Sequence, residues 1–304
     1  MGTLASPPSA DAERDAAAFG GLVPSAAVAR GGDTMVALLG LEHFRDGAVA
    51  HVIVLTETPG VIDWAVDGGL TVLDDRGTTY TPSVLAKTQG LGQVATTIWL
   101  SPPIPADAAR LDLDVSELFR VSAPRGDVPP LKRALSEGPW PLTVNLRPER
   151  TVAAPPAHPE RRQRVPDAGT VPARTIATFH SIIPVGQARM AEGAAICVIA
   201  AERYTDRWVV TLSALGRPDQ VGTPAIGRAR VSAWDDRGNR YRATPIQGTA
   251  REDWSEVWIE MVPPLDPQAD TIAIKVEDIP RGNDIGPLPI AGPLIFGVRV
   301  PHDD

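Results

Sequence analysis

Apolar and polar positions along this chain repeat with a period of two, not 3.6. Val49-Ala50-His51-Val52-Ile53-Val54-Leu55 and Trp208-Val209-Val210-Thr211-Leu212 are short runs rich in β-branched residues. Leu111-Asp112-Leu113-Asp114-Val115 and Ile272-Ala273-Ile274-Lys275-Val276 alternate apolar with small or polar residues. Alternation of this kind predicts strands with one face buried. Such stretches recur at short spacing, divided by Gly, Pro and Asp clusters. About seven fit into roughly 120 residues, the strand density of a β-sandwich.

The pattern occurs twice. Thr71-Val-Leu-Asp-Asp-Arg-Gly-Thr-Thr-Tyr80 returns as Ser232-Ala-Trp-Asp-Asp-Arg-Gly-Asn-Arg-Tyr241, 161 positions later. The same offset aligns Pro102–Leu113 with Pro263–Ile274. An offset of 160 aligns Glu42-His43-Phe44-Arg45-Asp46 with Glu202-Arg203-Tyr204-Thr205-Asp206, and Val23-Pro24 with Ile183-Pro184. Gly138–Val144 matches Gly292–Val298 at an offset of 154. Five blocks in one order predict a tandem duplication. The expected organisation is a flexible arm at 1–21 with one short helix around Ala10–Phe19, a first sandwich at 22–147, a linker at 148–175 and a second sandwich at 176–304. The linker contains Ala153-Ala-Pro-Pro-Ala-His-Pro159 and Arg150, Arg161, Arg162, Arg164 and Arg174. It reads as an extended, solvated spacer.

Each repeated block has a physical reading. In Asp-Asp-Arg-Gly-x-x-Tyr, Asp starts a turn by bonding nearby backbone, Gly closes it, and Tyr restarts the strand. A calcium site needs six to eight oxygen ligands, and no further acidic cluster lies nearby in sequence, so a hairpin turn is expected. The prolines ahead of Leu111 and Ile272 bring the chain over a sheet edge, where no ladder donor is required. Trp140 and Phe296 fall in the last strand of each copy and are expected in the core. Glu42 and Glu202 share one place in both copies; each is expected at a strand end, facing Arg or a backbone donor.

The order of these blocks resembles the bacterial immunoglobulin-like (telokin-like) domains of poorly characterised proteins. The marks are an early Glu-x-aromatic-x-Asp turn at Glu42 and Glu202, then Asp-Asp-x-Gly-x-x-Tyr, then a proline-rich stretch leading into an alternating strand. The resemblance covers both repeats. It implies an all-β fold of two tandem immunoglobulin-like sandwiches joined by a Pro-rich linker. It implies no catalytic set.

Strand parity singles out three tryptophans. Ile98 with Ile259, and Leu100 with Met261, take one parity, expected to point inward. Trp99, Trp254 and Trp258 then point outward, the candidate contact surface of the chain. Trp is enriched among binding hot spots, and exposed apolar clusters mark contacts. The bland reading is that another part of the chain covers them.

Composition narrows the function. Pro and Gly number 31 and 27 of 304 residues, which argues against an all-helical protein. A net charge of −8 gives no overall footprint for nucleic acid. No apolar run approaches the ~18 residues of a membrane span. Met1-Gly-Thr-Leu-Ala-Ser-Pro-Pro8 has neither a basic nor an apolar leader region, so the chain as encoded reads as cytoplasmic, or secreted if a signal was trimmed. Neither Gly-x-Ser-x-Gly nor a phosphate-binding glycine loop occurs. His43, His51, His158, His180 and His302 lack partners at ligand spacing; His51 reads as a strand-face residue and His302 as part of a frayed tail. The one cysteine, Cys197, lies in an apolar run and reads as a small core residue. The expected function is a non-catalytic binding or structural module, meeting an unknown protein or a second copy of itself. The rival is a carbohydrate- or envelope-binding accessory protein that stacks exposed tryptophans on sugar rings.

Overall fold

Two antiparallel sheets of eight strands each dominate the chain, as a computed structural model shows. It describes residues 18–57, 60–90, 92–121, 132–134, 138–146, 178–216, 224–251, 253–281, 290 and 292–302. The first body runs through β1 (Phe19–Gly31), β2 (Thr34–Phe44), β3 (Ala48–Thr56), β4 (Val61–Trp64), β5 (Leu70–Asp74), β6 (Thr79–Gly90), β7 (Gln93–Ser101), β8 (Arg110–Val115), β9 (Leu118–Val121), β10 (Lys132–Ala134) and β11 (Trp140–Asn145). The second comprises β12 (Phe179–Ala191), β13 (Ala194–Tyr204), β14 (Trp208–Leu215), β15 (Arg230–Asp235), β16 (Arg240–Ala250), β17 (Trp254–Val262), β18 (Thr271–Glu277) and β19 (Leu294–Arg299). The orders are β1-β2-β3-β7-β6-β5-β8-β11 and β12-β13-β14-β17-β16-β15-β18-β19, one pattern used twice. A small sheet, β10-β9-β4, is added to the first body, and its Trp64 is buried in that body's core.

Each sheet turns a corner through one long strand. In β6, Thr79 and Tyr80 pair with β5, whereas Thr81–Gly90 pair with β7. In β16, the first residues pair with β15 and Arg242–Ala250 pair with β17. The two ends of the sheet therefore face each other across a shared core. Leu38, Val52 and Ile98 from one layer meet Val72, Leu113 and Leu142 from the other. The second core is built alike, with Val198, Val210 and Ile259 against Ala233, Ile274 and Phe296. Each large sheet has eight strands against about seven expected, and the first body adds the three of the small sheet. Trp140 and Phe296 are in these cores as expected.

β1 begins at Phe19, so the end of the expected N-terminal arm is strand, and Ala18 is a buried turn residue. Ala18 and Phe19 are therefore not part of the expected short helix; its other positions, 10–17, lie outside the described residues. So do the linker at 148–175, its five arginines and His158.

A third core lies between the bodies. The outer faces of β2, β3 and β7 supply Met35, Leu39, Val49, Ile53 and Trp99; β13, β14 and β17 supply Cys197, Ile199, Val209, Trp254 and Trp258. Their strands are thus covered on both sides, and nearly every position in β2, β3, β13, β14 and β17 is buried. In contrast, β5 and β11 alternate buried with exposed residues, the mark of a sheet with one face in water.

The repeated Asp-Asp-Arg-Gly turn is the hairpin expected from the sequence. Asp74 Oδ1 accepts from the backbone N–H of Arg76 and Thr78, and Oδ2 from the Tyr80 hydroxyl at 2.7 Å. Asp235 does the same with Arg237, Asn239 and Tyr241. Gly77 and Gly238 both take φ +85°, which a side chain would strain. The second acid ties the turn to the strand beyond: Asp75 accepts from the N–H of Ala109 and Arg110, and Asp236 from that of Asp270. Burial pushes the Asp74 carboxyl up, but the bonds from Tyr80, Thr78 and Arg76 outweigh it and hold it below the usual range. Its stabilising contribution is therefore present above about pH 4 and is lost as pH falls. Asp74→Ala or Asp235→Ala strands several donors, and each is expected to cost about 1–3 kcal/mol in denaturant unfolding. Asp75→Ala, at a wetter site, is expected to cost less; equal losses would show that the buried carboxylate is not what organises the turn.

Candidate functional site

The two bodies carry different side chains where they touch. Outward-facing residues on the central strands of one body meet those of the other, and titratable side chains are buried there. His51, at the middle of β3, is 2% exposed; Glu42 on the neighbouring β2 is 0% exposed and Glu256 on β17 is 1% exposed. His51 Nε2 lies 3.3 Å from Glu42 Oε1, within its own body. His51 Nδ1 lies 3.2 Å from Glu256 Oε1, in the other body. The Thr97 hydroxyl donates to the second oxygen, Glu256 Oε2, at 2.9 Å. One glutamate of the second body is thus held by two side chains of the first.

The ring sits between two carboxylates. Burial by itself would lower the His51 pKa, but the charge of Glu256 and the bonds to Glu256 and Glu42 push it up to about 9. The imidazole is accordingly charged at neutral pH. Both its nitrogens then carry protons, and each faces a carboxylate oxygen.

Comparison of the two bodies explains why this cluster occurs once. In the second body the Tyr204 hydroxyl donates to Glu202. The first body has Phe44 at the place of Tyr204, so Glu42 has no hydroxyl there, and His51 stands beside it where the second body has Thr211. A second exchange occurs one turn of chain away. Arg207, 2% exposed, reaches Glu260 Oε2 through Nη1 at 3.1 Å. The first body has Gly47 and Trp99 at these places, and the indole lies so close that a Cβ on Gly47 would be 2.3 Å from Trp99 Cζ2. A packed tryptophan in one body replaces a buried ion pair in the other.

Trp99, Trp254 and Trp258 do point out of their own bodies, as parity requires. They are 3%, 2% and 3% exposed, because the opposite body covers them. The contact surface they form is internal to the chain, so they offer no platform to solvent. Glu42 lies beside His51, and Glu202 accepts from the Tyr204 hydroxyl. Cys197 is buried in the same seam, as its apolar run predicted. His302 is exposed yet lies 2.7 Å from Asp270, so it is tied down rather than frayed. Among the described residues no group of three or more His, Cys, Asp or Glu side chains could hold a metal.

Sequence reading missed the cluster because His51 and Glu256 are 205 positions apart. One signal was present: Glu256 interrupts the apolar stretch Trp254–Met261 on the same parity as its tryptophans. A buried carboxylate between two indoles needs a partner.

A separate groove of about 250 Å³ opens between the start of β1 and the loop carrying Ile104, Pro105 and Ala108. His43 is in its wall, and burial holds that imidazole below its ordinary pKa. The lining residues include no acid that could work with it.

No family model matches the chain, and no curated protein does. Among solved structures it is similar to the conserved domain protein from Bacillus anthracis, at 7% identity and a TM-score of 0.25, over 84% of this chain and 78% of that one.

Proposed function

We propose that the chain is a non-catalytic binding or structural module, built from two duplicated immunoglobulin-like β-sandwiches and mediating contact with another protein. The shared strand order and the shared Asp-Asp-Arg-Gly turn support a duplication with bodies near 22–147 and 176–304. The observation that carries the functional reading is where the unusual residues sit. His51, Glu42 and Glu256 have the chemistry of an acid–base site, but all three are sealed between the bodies, with a carboxylate oxygen 3.2 Å from one imidazole nitrogen and 3.3 Å from the other. A catalytic base must reach its substrate. Here the charges and indoles instead join two bodies into one unit, leaving the outer layers and sheet edges for a partner. The carbohydrate-stacking alternative needed exposed tryptophans and loses that support.

The test is affinity capture by the tagged full chain in lysate of its source cells, with quantitative mass spectrometry, alongside a panel of ester, glycoside, peptide and phosphate substrates. The expected result is one protein recovered in fixed ratio to the bait and no turnover. Turnover that disappears in His51→Gln would overturn the reading.

A further inference from the structure

We propose that His51 is a switchable clamp: by bridging Glu42 of its own body and Glu256 of the other, it holds the two bodies together, and loss of its charge loosens that seam. This goes beyond the binding reading and does not depend on it. The argument starts from proton count. A neutral imidazole has one N–H; only the doubly protonated ring presents an N–H and positive charge to both acids, as a hydrogen bond to Glu256 at 3.2 Å and an ion-pair contact with Glu42 at 3.3 Å. Removing the proton leaves a ring lone pair against one carboxylate and takes away the positive charge that stood between Glu42 and Glu256. Burial of unpaired charge is costly, and separating the bodies lets water reach both acids.

The clamp is placed where it can act between the bodies. Its acceptor Glu256 is also bonded by Thr97, so both restraints on that side chain cross from the first body to the second. The strands packed in this seam carry other titratable or charged groups: Glu202, Tyr204 and Cys197 on β13, Arg207 just before β14, and Glu260 on β17. Glu202 is engaged by Tyr204, and Arg207 by Glu260. Glu42 and Glu256 are the groups whose charge acts on the ring.

The direction follows from linkage. The folded pKa lies above the unfolded value of 6.5, so the clamp is fully present below about pH 6.5 and is lost as pH rises through about 9. Over that interval the ratio of closed to open seam changes by up to about tenfold per pH unit, roughly 300-fold in all.

The experiment uses the full chain. The His51 ring is titrated by NMR in the wild type, with resonances assigned by comparison with His51→Gln. Hydrogen exchange of β3, β7, β14 and β17 and acrylamide quenching of tryptophan are then followed from pH 6 to 10 in both proteins. Cys197 can titrate in this range once exposed, so the difference between the two proteins is the readout. The expected result is a ring pKa well above 7, with seam exchange and quenching rising in wild type above pH 8. His51→Gln should already be loosened at pH 7, with little further pH response. A ring pKa at or below 6.5, or identical pH profiles in the two proteins, would overturn the clamp. Should His51→Gln not fold, the assignment is made with Glu256→Gln, and a ring pKa that fails to fall in that variant overturns it equally.

Discussion

Replacing Trp254 or Trp258 by Ala is expected to destabilise the whole chain, lowering its melting midpoint by roughly ten degrees for each. The cost of truncating a buried tryptophan is about 3–5 kcal/mol, and a chain of this size loses about 2–4 degrees per kcal/mol. Both indoles are nearly inaccessible, and the surface over them belongs to the other body. The loss is therefore of contact between bodies as much as within one. A suitable control is Met190→Ser on β12, a residue 58% exposed, which is expected to stay within about 0.5 kcal/mol. If the tryptophan variants melted like that control, the indoles would lie on a surface, and the seam would not be closed in solution.

Glu256→Ala is expected to cost about 3–5 kcal/mol at pH 7, the usual penalty for removing one partner of a buried ion pair. Two effects add. The Thr97 hydroxyl loses its acceptor, and the His51 imidazolium keeps only Glu42. Because Glu256 helps hold the ring pKa up, the variant's ring should titrate at lower pH than that of the wild type. The extra cost is then greatest below about pH 6.5 and shrinks as pH rises past about 9, where the wild type has lost the same interaction. Glu256→Gln keeps an acceptor for Thr97 and is expected to lose less. The check is chemical denaturation of the three proteins at pH 6, 7.5 and 9.5. A Glu256→Ala penalty that does not change with pH would mean that the ring is neutral in the folded chain.

Much of this architecture is written locally. Alternation in Leu111–Val115 and Ile272–Val276 specifies strands with one wet face; the first alternates so, whereas Ala273 on the second is buried as well. The Asp-Asp-Arg-Gly-x-x-Tyr blocks are self-contained, since a single carboxylate satisfies donors two, four and six residues further on. Parity along β7 and β17 correctly separates Ile98, Leu100, Ile259 and Met261 from Trp99, Trp254 and Trp258. The continuous apolar runs in β3 and β13 carried a further signal: a strand with no polar face is covered twice.

What covers the second face is not a local property. Period and turn chemistry describe each strand against its neighbours in sequence, and they end at the outer surface of each sheet. The two bodies share one strand order, but the pairing of their outer faces depends on residues that differ: Phe44 against Tyr204, His51 against Thr211, Gly47 with Trp99 against Arg207 with Glu260. Each is an ordinary strand or turn residue when read alone. Only when the two faces meet does Glu256 come within 3.2 Å of His51, across 205 residues of chain, and low solvent access makes that separation matter. The sequence by itself determined the strands, the turns and the side from which each tryptophan leaves its sheet. The tertiary structure decided that the tryptophans are core, and that a histidine on an apolar strand lies between two acids that raise its pKa, because burial and long-range charge arise only once two distant surfaces exclude water together.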